Sequence, residues 1–348
     1  MADVTRILIL GGSWFLGRTI AEIAVARDLN VTTFRRGHSG SDVDGVTTIR
    51  GDRTDPDDLA RLAQSSEWDL VIDTSSFIPR ETLHLARALE PVAARYLLIS
   101  TVSVYQGWPV EPLNEESPVL ECPPDAGPDF GYDGDPGPSI YGFGKAGCER
   151  AVLETFGAER TVILRPGVIL GPLEYVGRLA WWLRRMQRGG RVLAPGRPER
   201  RIQPVDVRDV AAFTLMPDLI GTMNVTAPGR ETMGDLLNSC HDLSGGDAKL
   251  EWITDEQWLA EQGVRQWTEL PLWRMFKGAW SVDSKRALDS GFASRLIRDT
   301  VADTWAWLNN GGAAVEHERA SELGITPERE QAILGLWDAT QLDHCGAQ

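Results

Sequence analysis

Short apolar runs alternate with amphipathic stretches from the start of the chain. Arg6 to Leu10 is apolar, Leu16 to Arg27 has helical spacing, and Val31 to Phe34 is apolar again. Val46 to Arg50, a helix near Pro56 to Gln64 and Asp69 to Asp73 continue the rhythm. A helix at about Arg80 to Leu89 then feeds a strand from Tyr96 to Ser100. Strands that are apolar throughout are buried on both faces, and right-handed crossovers lay the intervening helices against the sheet. The first hundred residues therefore predict most of a doubly wound parallel α/β sheet.

Between Gly107 and Pro138 the pattern breaks into Pro, Gly, Asp and Glu, which predicts a long surface loop or a lid. A helix from about Ser139 to Phe156 and a strand from Thr161 to Leu164 restore regular structure. Beyond Arg165-Pro166-Gly167 the elements are less regular, and eight of the 13 tryptophans lie after residue 250. The expected division is a sheet domain over 1–168, with 107–138 as its loop, and a smaller α+β region over 169–348 that returns some elements to the first. Trp181-Trp182-Leu183-Arg184-Arg185-Met186 reads as an amphipathic helix with its tryptophans in a core, in preference to a substrate-lining surface.

Composition narrows the function classes. The 348 residues are 42% hydrophobic and 24% charged, enough to bury a core, and 35 basic against 50 acidic residues leave a formal charge of -15. That balance argues against a general grip on nucleic acid or anionic lipid. No apolar stretch approaches the roughly 20 residues of a membrane span, and Met1 to Arg6 lacks the pattern of a signal peptide. Cys122, Cys148, Cys240 and Cys345 form no CxxC pair, and His38, His84, His241, His317 and His344 show no ligand spacing. The expectation is a cytoplasmic protein without a metal, acting on a small molecule, with a homodimer as the candidate assembly.

Candidate chemistry begins where the first strand ends. Gly11-Gly12-Ser13-Trp14-Phe15-Leu16-Gly17 joins that strand to a helix. Glycines let the backbone bend and approach a pyrophosphate, while the helix N-terminus favours negative charge. The second strand ends in Phe34-Arg35-Arg36-Gly37, two guanidinium groups where an acidic residue would bind the ribose of NAD. Arginine suits a 2'-phosphate, so NADP is expected over NAD. Asp52, after the third strand, is placed either to bond an adenine amino group or to cap the helix near Pro56.

Tyr141 and Lys145 stand four residues apart, which puts both on one face of a helix. Gly142, Gly144 and Gly147 surround them, each costing about 1 kcal/mol relative to alanine in a helix interior. Something must therefore approach this helix closely. Upstream, Ser100-Thr101-Val102-Ser103-Val104-Tyr105 brings hydroxyls to the carboxyl edge of the sheet, where ligands of open α/β folds bind. A tyrosine can protonate an alkoxide formed by hydride transfer when a neighbouring ammonium lowers its pKa from about 10.

Together these segments, with Gly51-Asp52-Arg53, Leu164 to Gly167 and Pro204 to Val210, resemble the short-chain dehydrogenase/reductase superfamily. Within it the likeness is to the extended or atypical branch of epimerase/dehydratase-like proteins, over about residues 5 to 230. The resemblance implies a Rossmann-type fold, with Tyr141 as acid/base, Lys145 as its lysine and Thr101 as the catalytic hydroxyl, Ser103 being the fallback. Cofactor contacts would be Gly11, Ser13, Trp14, Phe15, Gly17, Arg35, Arg36, Asp52, Thr74, Lys145 and Pro166. Trp14 replaces the family's middle glycine, and 40 residues separate Thr101 from Tyr141. The leading expectation is an NADP-dependent reductase of a small-molecule carbonyl or related unsaturated group. The alternatives are a nucleotide-sugar epimerase or dehydratase holding NAD tightly, and a non-catalytic redox sensor or RNA-binding relative.

Overall fold

A computed structural model describes residues 6–38, 40–312 and 322–346. Met1 to Thr5, His317 and the side chains of His344 and Cys345 lie outside the described residues. The chain divides into two compact units. The larger contains residues 1–169, 203–228 and 277–294, and the smaller contains 170–202, 229–276 and 295–348.

The larger unit is a seven-stranded sheet in which every neighbouring pair is parallel. Its strands are β1 (Arg6–Leu10), β2 (Asn30–Arg35), β3 (Thr47–Arg50), β4 (Leu70–Asp73), β5 (Tyr96–Ile99), β6 (Thr161–Pro166) and β10 (Gly221–Val225). Two-residue strands β7 (Ile169–Leu170) and β9 (Val205–Asp206) stand where the chain leaves and re-enters this unit, and β8 (Arg191–Pro195) belongs to the other. The order is β10-β6-β5-β4-β1-β2-β3. Succession reverses between β1 and β4, which lie in register with Leu10 opposite Asp73. That reversal is the topological switch point where ligands of open α/β sheets bind.

Burial explains the apolar strands. Ile7, Leu8, Ile9 and Leu10 are all at most 2% exposed, so neither face of β1 sees water. On one face Leu8, Leu10, Val71 and Leu98 pack with Leu59 and Leu62 of α2 (Pro56–Ser65), Leu85 and Leu89 of α3 (Pro79–Leu89), and Val152 and Phe156 of α4 (Ile140–Phe156). Each such side chain contributes roughly 1.5–3 kcal/mol by leaving water. Helices α1 (Phe15–Ala26) and α6 (Val207–Thr214) pack together within this unit. The cap of α2 is Asp55, whose side chain accepts from the N–H groups of Asp57 and Asp58. Asp52 is therefore not the cap, because Pro56 occupies the first turn and places the capping position one residue before it.

The 107–138 segment departs from its compositional reading. Leu113, Leu120, Cys122 and Ala126 are buried in one cluster with Val102, Val104, Tyr105, Phe143, Ala146 and Val282. Leu120 N–H donates to Val104 O at 2.8 Å, and Leu113 N–H donates to Ser281 O at 2.9 Å. Residues 128–135 form its longest exposed run.

In the smaller unit, α5 (Arg178–Gln187) buries Trp182, whose indole N–H donates to Pro271 O at 2.8 Å, while Trp181 is half-buried. Arg185 on the same helix forms a buried ion pair with Glu330. Strands β8 and β11 (Lys249–Ile253) pair in parallel, and α5 packs with α7 (Met233–Ser244). The spacing predicts both tryptophans in a core, and the structure places Trp182 there and leaves Trp181 at its margin.

Hydrogen exchange would test the packing of the long segment. We expect the Leu113 and Leu120 amides to be protected in the ligand-free protein, with residues 128–135 exchanging fast. Equal, rapid exchange across 107–138 would show that the cluster does not hold the segment.

Candidate active site

The glycine turn sits at the switch point. Gly11 (φ 107°) and Gly12 (φ 89°) occupy backbone that side chains rarely adopt, and their neighbours leave no room for one. A β-carbon on Gly11 would lie 2.7 Å from Thr74 Oγ1, and one on Gly12 would lie 2.6 Å from Thr33 Cγ2. One on Gly17 would stand 2.8 Å from Gly12 N, so that glycine lets α1 close onto the turn. Trp14 is extended (φ -141°), a conformation open to any residue, which accounts for the missing middle glycine. Phe15 instead carries a positive φ of 37°, and strain of this kind gathers at ligand clamps. Trp14, the N-cap residue of α1, makes no side-chain cap bond and the first turn holds no acidic residue, whereas Asp55, Ser139, Asp206 and Thr232 cap four other helices. A narrow glycine cradle leading into a helix N-terminus with no acidic residue in its first turn fits a pyrophosphate.

Thr74 closes this cradle, its N–H and hydroxyl both donating to Leu10 O, at 3.2 and 3.0 Å. The two arginines after β2 part company. Arg35 is 7% exposed and donates to Asp42 through Nε at 2.9 Å and to Gly40 O at 3.1 Å, whereas Arg36 is exposed. Asp42 also accepts from Arg50 Nη2 at 2.6 Å, and the Arg35 hydrogen bond holds its carboxyl below the usual range. Asp52 accepts from Thr54 N–H and Thr54 Oγ1 at 2.9 and 2.8 Å, which lowers its pKa. Pro166 ends β6 opposite Val225.

Tyr141 and Lys145 lie on the first turns of α4, capped by Ser139 Oγ, which accepts from Gly142 N–H at 3.1 Å. The glycines around them admit the protein's own chain. A β-carbon on Gly142 would collide with Ser103 O, on Gly144 it would stand 2.7 Å from Phe77 O, and on Gly147 2.7 Å from Cys122 Sγ. Thr101 is buried, its Oγ1 accepting from Ser103 N–H at 3.1 Å and donating to Ser103 Oγ at 3.3 Å. Phe77 faces both members of the pair, 6.5 Å from the Tyr141 ring and 5.6 Å from Lys145 Nζ.

Lys145 is 3% exposed and donates to Ser76 O at 2.7 Å and Ile99 O at 2.6 Å. Burial lowers its pKa, opposed by Cys148, Asp73 and Glu149. Two buried networks behind it escape sequence reasoning. In the first, Asp73 accepts from Arg53 Nη2 at 3.0 Å, Tyr96 Oη at 2.7 Å, Ser75 N–H at 2.9 Å and the Ser76 hydroxyl. Burial pushes the Asp73 carboxyl up, but the Arg53 charge and hydrogen bonds outweigh it and hold it down to about 2.

In the second network, Glu149 pairs with Arg165 through two bonds of 2.9 and 2.6 Å and accepts from Ser100 Oγ at 2.5 Å. Arg165 donates to Tyr105 Oη at 2.9 Å, and Tyr105 donates to Asn224 Oδ1 at 2.8 Å. The polar residues of the Ser100 to Tyr105 and Leu164 to Gly167 motifs are thus partly structural. Asp73 shares the short spacing Asp73-Thr74-Ser75-Ser76 with three hydroxyl residues, which is the one local signal for its network.

The sheet, the glycine cradle and the Tyr141–Lys145 face have the arrangement of the extended short-chain dehydrogenase/reductase branch. Residues 7–217 match the model of the NAD dependent epimerase/dehydratase family, and the chain belongs to that family. It is 26% identical over 261 residues to the chloroplast stem-loop binding protein of 41 kDa b of Arabidopsis thaliana, covering 69% of this chain. The match spans 63% of that curated relative's length, less than two thirds. Among solved structures, the fold is similar to Bordetella bronchiseptica WbmH in complex with NAD+ (TM-score 0.66, 17% identity, 89% of this chain and 100% of that one). It is also similar to UDP-glucose 4-epimerase of Thermotoga maritima with UDP-glucose (TM-score 0.64, 18% identity, 88% and 99%).

The Asp73 carboxyl makes stability depend on pH. Its stabilising contribution is complete above the ordinary value of 3.8 and is lost as pH falls toward about 2. We expect the melting temperature to drop through this window. Asp73→Asn should lack that part of the slope and start less stable, by at most about 3–5 kcal/mol, because the mostly buried Arg53 charge loses its carboxylate. Identical acid slopes in the two proteins would remove Asp73 as the cause.

Proposed function

We propose that this chain is a nicotinamide-dinucleotide enzyme that moves a hydride between the cofactor and a carbinol or carbonyl carbon of a small molecule, in the oxidation–reduction cycle of an epimerase or dehydratase. The observation that carries this reading is the Tyr141–Lys145 face of α4, above a carboxyl edge that also bears Thr101 and the glycine cradle. Family membership supports the cycle. Gly11, Ser13, Trp14, Phe15 and Gly17 would hold the pyrophosphate, with Thr74 closing the turn and Pro166 bordering the ring. The dinucleotide supplies the hydride acceptor and donor when bound. Thr101 orients the substrate oxygen, and Tyr141 takes its proton or returns it at the phenolic oxygen. Lys145 favours the phenolate by its charge.

A second reading, net reduction by exchangeable NADPH, is favoured by the basic surface at the end of β2. Arg35 is committed to Asp42, so the 2'-phosphate would meet Arg36, with Arg50 nearby, whose Nη1 would be 3.0 Å from a β-carbon on Gly37. A stem-loop-binding role, the property in the name of the Arabidopsis relative, is disfavoured for this chain by its -15 charge.

Denaturing the purified protein and identifying the released nucleotide separates these readings. Retained NAD supports the cycle. An empty protein that exchanges NADPH and binds it more tightly than NADH supports net reduction, and in that case Arg36→Asp should weaken NADPH far more than NADH. Binding of neither dinucleotide would overturn both. With any substrate found by screening, Tyr141→Phe should keep cofactor affinity and lose turnover by ~10²- to 10⁴-fold. Full turnover in that variant would take Tyr141 out of the chemistry.

A further inference from the structure

The two carbonyls that hold Lys145 are fixed in different ways. Ile99 O ends β5, a strand laddered to β4 and β6. Ser76 O belongs to the turn after β4 and has no ladder of its own. Side chains fix that turn. Asp73 accepts from Ser75 N–H, Ser75 Oγ and the Ser76 hydroxyl, and Arg53 donates to Ser75 Oγ at 2.9 Å and to Ser76 Oγ at 3.4 Å while pairing with Asp73. On the other side, Gly144 lets Phe77 O come close to α4.

From this arrangement we infer that the Arg53–Asp73 pair, whose carboxylate is fully buried, is a positioning device for the lysine. It clamps the Ser75–Ser76 turn so that the Ser76 carbonyl stays beneath Lys145 Nζ, and through Lys145 it sets the acidity of Tyr141. The inference rests on the reading of Tyr141 and Lys145 as an acid/base pair. The field of the pair alone is a weaker agent, because Asp73 and Arg53 bear opposite charges that act on Lys145 in opposite senses. The other titratable groups around the lysine are Cys148 and Glu149 on α4. Glu149 is neutralised by Arg165 from β6, and Tyr96 of β5 is kept protonated by burial beside Asp73. Geometry of the turn is the variable that remains.

The test needs no substrate. The chain has five tyrosines, and the ultraviolet difference titration of each protein against its Tyr141→Phe counterpart isolates Tyr141. Lys145→Met should raise the Tyr141 pKa by about 1–3 units, the effect of removing a nearby charge. Ser75→Ala/Ser76→Ala, which leaves the ion pair intact and frees the turn, should raise it by about one unit on the same scale. Ser76→Ala alone should shift it in the same direction by less, and serves if the double variant does not fold. Tyr96→Phe takes one hydrogen bond from Asp73 without touching the turn and should leave the Tyr141 pKa in place. No shift in the serine variants, alongside a shift in Lys145→Met, would overturn the positioning role and leave the acid/base reading standing. An equal shift in Tyr96→Phe would also overturn it, by showing a general loosening of the core. No shift in Lys145→Met would overturn the Tyr141–Lys145 pairing itself.

Discussion

A parallel sheet runs out of backbone partners at its carboxyl edge, and the last carbonyls there must be met by something other than a neighbouring strand. In this protein backbone N–H groups just beyond the strands meet some of them, such as Phe34 O and Leu164 O, and side chains meet others. Leu10 O takes both donors of Thr74, while Ile99 O and Ser76 O take the ammonium of Lys145. Satisfying the edge and assembling the site are therefore one event. The same hydrogen bonds that make burial of Lys145 tolerable also fix α4 over the strand ends, and with it Tyr141.

The helix bearing that pair is an expensive one. Three glycines in its first eight residues weaken it on propensity alone, and their return is proximity to the Ser103 turn, to Phe77 and to the Pro79 and Cys122 region. Approach by the protein's own chain, with no ligand involved, accounts for all three. The 113–126 segment is part of the same bargain, since Leu120 and Cys122 pack where Gly142 and Gly147 leave room.

What was legible in the sequence is what is local. The glycine turn, the alternation of strand and helix, and a tyrosine and lysine four apart all express themselves within a few residues. The Arg53–Asp73 pair spans 20 residues, Glu149–Arg165 spans 16, and Tyr105–Asn224 spans 119, and nothing in a single sequence joins such partners. Arg35 shows the same limit at short range. Its residue type suits a phosphate, but Asp42, seven residues on, folds back to claim it. The Pro/Gly-rich segment misleads for another reason, because its few apolar residues join a core that Val104, Tyr105 and Phe143 already provide.

The sheet unit is assembled from three separate stretches of chain, and this bears on how it can be made. Strand β10 supplies the edge beside β6, and Val282 and Asp283 tie down Leu113 from a point more than a hundred residues beyond it. A gene fragment ending near residue 169 would encode the glycine cradle, Tyr141 and Lys145, yet would leave Tyr105 without Asn224 and β6 as an open edge. During synthesis at roughly 5–20 residues per second, the emerging chain waits on the order of ten seconds between its last early strand and its last late tether. The edge of β6 stays open until β10 emerges, and Leu113 stays untethered for the rest of that interval, so the dependence on late residues is a demand on chaperoning as much as on architecture.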